Sequence, residues 1–168
     1  EMTCYDGDNV EQSCDPRTTN TIQYDSVIQG QPSSNFFYFQ EYVIDNQSSF
    51  RATDLLSEKA IIDGNHSNYS SYTRNASFNN VEGRFSLESD LTIVGLVLDL
   101  NDAIPEAGTI EGTVSGSYER ITSFNRIAQD LYFHFTATYM GDNTAEIELS
   151  NDIFFSVNLG TGTVTAQH

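Results

Sequence analysis

The chain has 168 residues, 38% of them hydrophobic, with 24 acidic against seven basic side chains and a formal net charge of −17. That is one domain's length, with enough apolar material for a core, which excludes global disorder. Such a charge repels phosphate backbones and anionic lipid, which excludes nucleic acid as a partner. No run approaches the ~18 uninterrupted apolar residues of a membrane helix, so no membrane insertion is expected.

The first element holds both cysteines, Cys4 and Cys14, in "CYDGDNVEQSC". A second pair, as a four-cysteine zinc site needs, is missing, so the spacing predicts a disulfide. Closing that loop is worth roughly 3 kcal/mol by chain entropy. Residues 1–20 therefore read as a disulfide-stapled arm, and 21–168 as a single β-domain. Asp6 and Asp8 alternate inside the loop as two hard oxygen ligands, so Ca2+ is the one ion the sequence offers there. The EF-hand pattern is not met, and calcium's six to eight oxygens would have to come partly from elsewhere.

From Thr21 onward the period is two, the mark of strands with one dry and one wet side. "TIQYDSVIQ" has the form of an exchangeable strand, with Ile22 and Tyr24 expected to insert into the sheet of a neighbouring copy. "NFFYFQEYVID" and "LTIVGLVLDL" are apolar on both faces and read as central strands. "TDLLSEKA" is the one segment with a helical start signal, near Thr53 or Asp54. Between them lie four Asn-x-Ser sequons, at Asn46, Asn65, Asn68 and Asn75, the candidates for glycosylation in a secreted chain.

The second half alternates more cleanly. Ile110, Gly112, Val114, Gly116 and Tyr118 share one face of their segment. Leu131, Phe133, Phe135, Ala137 and Tyr139 share one face of the next, and Ala145, Ile147 and Leu149 one face of the third. "MGDNT", "SND" and "NLGTG" supply hairpin turns. The final "GTGTVTAQ" is short and polar. The count comes to roughly 10–12 strands, so the predicted fold is all-β: an antiparallel meander closed as a barrel or folded as a sandwich.

Two segments repeat. Ser71, Tyr72, Arg74, Ser77, Phe78 and Asn79 match Ser117, Tyr118, Arg120, Ser123, Phe124 and Asn125 at a constant offset of 46. This reads as a duplicated strand–loop–strand unit, with Tyr inward, Arg emerging and Phe tucked beneath the connection. A period in the forties also fits a β-trefoil, the alternative fold.

Catalytic motifs are missing. The sequence has no nucleophile elbow, P-loop, dinucleotide fingerprint or zinc-helix motif. His66 reads as part of a polar loop, and His134 as a residue on the wet face of its strand. The expected function is therefore a non-enzymatic β-module, secreted, periplasmic or on the cell surface. It would act through its surface as an adhesin or as a filament or other assembly subunit, with a protein partner or with itself. Alternatives are a β-barrel holding a small apolar ligand and, last, a hydrolase acting on glycans through a carboxylate pair. Apart from Ca2+, no cofactor is expected.

Overall fold

A computed structural model describes residues 1–31, 33–34, 38–76, 81–150 and 152–167. Twelve strands form in chain order: β1 (Met2–Tyr5), β2 (Glu11–Gln12), β3 (Thr21–Gly30), β4 (Ser33–Ser34), β5 (Tyr38–Thr53), β6 (Lys59–Ala76), β7 (Val81–Asp99), β8 (Pro105–Ile121), β9 (Arg126–Gly141), β10 (Thr144–Leu149), β11 (Ile153–Asn158) and β12 (Thr163–Gln167). The strands are long because no proline lies inside them; Pro105 opens β8, where its missing N–H costs no ladder bond. The 19 residues of β7 span about 60 Å at ~3.3 Å per residue.

All strands join one antiparallel sheet in the order β12-β11-β10-β9-β8-β7-β6-β5-β3-β1-β2, with β4 paired to β5 off that path. The expected all-β meander is present. Its edges, β2 and β12, lie at opposite ends and do not meet, so the sheet is open and the barrel closure does not form. A single sheet of successive hairpins also lacks the three-fold arrangement of a trefoil. Among the described residues, every strong contact between elements joins ladder neighbours.

The turns use the chemistry expected of them. Asp142 and Asn143 both have positive φ, 52° and 55°, as a two-residue primed turn between β9 and β10 requires. The helix expected over "TDLLSEKA" is replaced by the turn between β5 and β6. Asp54 has φ 61° there, which stops helical continuation, and Ser57 Oγ donates to the Asp54 carbonyl at 2.8 Å. Leu55 N–H donates to the Asn20 carbonyl instead of starting a helix.

The arm is part of the sheet. Cys4 and Cys14 are bonded, with Cα atoms 5.2 Å apart, and Cys4 is buried. β1 pairs with β3, which pairs on its other side with β5. Ile22 lies between Cys4 and Ala52, and Tyr24 between Met2 and Phe50. Within the single chain this segment is paired on both sides, with β1 and with β5.

Candidate functional site

Residues directly opposite each other in a ladder project to the same side, so the registers trace each face across the whole sheet. Starting at Gly64, one row runs through Ile93, Ile110, Ala137, Ile147, Phe155 and Ala166 in one direction. In the other direction it runs through Phe50, Tyr24 and Met2. Ten strands thus contribute one continuous apolar row. Parallel rows repeat it: Leu91, Gly112, Phe135, Leu149 and Ile153; then Leu87, Gly116 and Leu131. The three alternating segments of the second half put their apolar sides on this one face.

The opposite face is rich in Ser, Thr, Asn and acid, with Val27, Val94 and Tyr132 among its exposed apolar residues. One of its rows reads Asp25, Ser49, Asn65, Thr92, Glu111, Thr136 and Glu148. Every carboxylate that sits in a paired register lies on this side: Glu41, Asp45, Asp63, Glu82, Glu88, Asp90, Glu119, Asp130 and Glu146 among them. The ion pairs Arg84–Glu82 and Arg126–Glu119 are also here, with both arginines more than half exposed, so they add little stability. Across the paired registers of the apolar face the only formal charges are Arg74 and Arg120, opposite each other across Gly83 at one end.

The apolar face is covered unevenly. Among the described residues, the buried hydrophobic ones, Cys4, Ala60, Leu96, Ala137 and Ala145, all belong to it. They gather toward the end where the arm and the β7 bulge lie. That bulge places both Ile93 and Leu96 on the apolar face, since Gly64 pairs with Ile93 and Ile62 with Leu96. Gly95 sits in it at φ +55°, and its N–H donates to Asp63 Oδ1 at 2.7 Å. Toward the other end the face opens. Leu131 is 51% exposed and Phe85 43%. Around Gly116 they border a hollow of about 420 Å³ with Leu87, Tyr118 and Gln129.

The remaining sequence-predicted residues fall as follows. Asp6 Oδ1 accepts the amides of Asp8 and Val10, both at 2.9 Å, so this carboxylate caps its own loop. No group of three or more His, Cys, Asp or Glu side chains converges among the described residues, so calcium gains no third protein ligand of that kind. The sequons lie in ladders instead of loops. Asn46 and Asn68 are opposite each other on the apolar face, and Asn65 is on the acidic one. Asn75 pairs with Phe39 and Glu82 near the end of β6.

His66, expected in a loop, is mid-strand on β6. Its Nδ1 lies 2.7 Å from Ser48 Oγ. With no carboxylate in the paired registers of that face, the pair lacks the acid that would orient a nucleophile–base couple. Phe124 is 99% exposed, not tucked under its connection, because Thr122 Oγ1 and the Asn125 amide close the turn without it. Ser77, Phe78 and Asn79 lie outside the described residues, as do Phe36 and Phe37. What sequence reasoning missed is the face as a whole. The per-strand phases are legible, but the registers that align them are not. Comparison of the chain with protein-family models, curated proteins and solved structures finds no match.

Proposed function

We propose that this chain is a non-enzymatic β-module that works by being bound through its carboxylate-free face, as a subunit of a protein assembly outside the cytoplasm. The observation that carries this reading is the segregation of charge: a chain of net −17 keeps every registered carboxylate off one face of its sheet and leaves that face apolar. Apolar surface on that scale is found where a partner docks. The Cys4–Cys14 bond supports an oxidising location.

The test is hydroxyl-radical footprinting of the protein in its native source material. Phe85 and Tyr118, on the apolar face, should be protected. Tyr69 and Tyr132, on the acidic face, should be modified at the rate of free side chains. Equal modification of all four overturns the reading.

A second reading has one observation in its favour. The hollow over Gly116, lined by Phe85, Leu87 and Leu131, is of a size that receives an apolar ligand. Enhanced fluorescence of a naphthalene-sulfonate dye, abolished by Leu131→Glu, would support it.

A further inference from the structure

We infer that the partner on the apolar face is a second copy of this chain, packed face to face so that two open sheets form a sandwich; this rests on the reading just given. Area is the first argument. The chain exposes 11112 Å² at 18.7 kDa, against about 8,300 Å² for a compact chain of that mass. The excess, about 2,800 Å² per chain or about 5,600 Å² for a pair, is enough to supply even a large obligate interface.

Charge is the second argument. Two acidic faces cannot approach each other, while two apolar faces meet without a carboxylate from any paired register between them. The paired registers of the apolar face carry only Arg74 and Arg120 as formal charges, together at one end, so the rest of the face is self-compatible under a two-fold that keeps those two ends apart.

Relief is the third. Large residues and glycines share rows: Phe50 beside Gly64, Phe135 beside Gly112, Leu87 and Leu131 on either side of Gly116. A two-fold copy can set a projecting side chain such as Leu131 into the hollow over the opposing Gly116. Interdigitation of this kind holds stacked sheets about 10 Å apart.

The test uses the full oxidised chain in light scattering across concentration. The wild type should have twice the 18.7 kDa chain mass. Leu131→Glu should raise the dissociation constant about a hundredfold or more, since a carboxylate would be buried unpaired at the interface. Tyr132→Glu, one residue along and on the opposite face, should leave it unchanged. Far-UV circular dichroism checks that each variant keeps its sheet; should Leu131→Glu unfold, the milder Leu87→Gln takes its place. A monodisperse wild-type monomer at the highest attainable concentration overturns the inference, as does a folded Leu131→Glu protein that still pairs. Footprinting separates the two levels. A monomer whose Phe85 and Tyr118 are nevertheless protected in source material has a different partner. A monomer with both residues open defeats the module reading as well.

Discussion

Tyr72 and Tyr118 stand directly opposite Phe85 on its two sides, one from β6 and one from β8. They are the equivalent tyrosines of the two repeated segments, so the 46-residue period is one hairpin, and it brings the two copies to flank a single ring. Tyr42 extends the row on β5. Cross-strand aromatic pairs contribute up to ~1 kcal/mol each. Phe85→Ala removes two of them and is expected to cost about 1–2 kcal/mol, read as a lower urea midpoint with an unchanged slope. Phe85→Leu should recover about half of that.

Glycine substitutions should split by position. A Cβ at Gly64 would come within 2.4 Å of the Ser49 carbonyl oxygen, which is backbone and cannot yield cheaply. One at Gly83 would meet nothing within 4 Å. Gly64→Ala should therefore destabilise by about 2 kcal/mol or more, whereas Gly83→Ala should be neutral or stabilise by about 0.5 kcal/mol through the unfolded state. Thermal melts of the two variants side by side check the contrast.

Reducing the Cys4–Cys14 bond should lower stability by roughly 3 kcal/mol. The loss is expected to begin locally. Hydrogen exchange should accelerate in β1 and in the adjacent half of β3, while amides of β7 and β8 keep their protection. Intact mass after alkylation, with and without reductant, confirms the bond.

Two groups at the hairpin ends give pH dependence of opposite sign. The Asn101 amide, donating to Asp99, holds that carboxyl below its usual range. A folded-state value below the unfolded one means its contribution is complete above about pH 4 and is lost as pH falls further. The Glu106 carboxylate, by hydrogen bond and by charge, holds Lys59 above its usual value. That contribution is complete below about pH 10 and is lost as pH rises beyond. Asp99→Asn should blunt the acid limb and Glu106→Gln the alkaline one. Both effects are small at these exposed sites, so they are best read from proton resonances of the turn.

Salt should raise the melting temperature, because a sheet with its acids on one side concentrates like charge. Sodium chloride from about 10 to 300 mM covers the range over which screening sets in. Magnesium and calcium should act alike at equal concentration, since Asp6 is occupied by its own loop amides.

The strand phases were readable in advance wherever alternation is strict, as from Leu131 to Tyr139. "LTIVGLVLDL" is the central strand expected of it, with Leu91, Ile93, Leu96 and Leu98 on one face and Val94 and Val97 on the other; the bulge at Gly95, which no alternation predicts, puts Ile93 and Leu96 on the same side. The duplicated tyrosines were visible as a repeat, but their meeting around Phe85 depends on register, which no local pattern encodes. The arm was separable by its cysteines. Its union with the sheet depends on the pairing of Cys4 with Ile22, a contact between segments unlike in sequence. The pairing of β3 on both sides is equally a property of the assembled ladder.

Because each strand from β5 to β12 leans mainly on its neighbours in the sequence, this part of the sheet behaves as a linear array, in which stability accumulates by nearest-neighbour steps. Opening such an array costs least at its margins. β12, exposed at every residue, should fray first, and the free energy of local opening should climb toward β7. Fluctuation then has a direction built into it, from rim to centre, and the hairpins can peel away one at a time without disturbing those behind them.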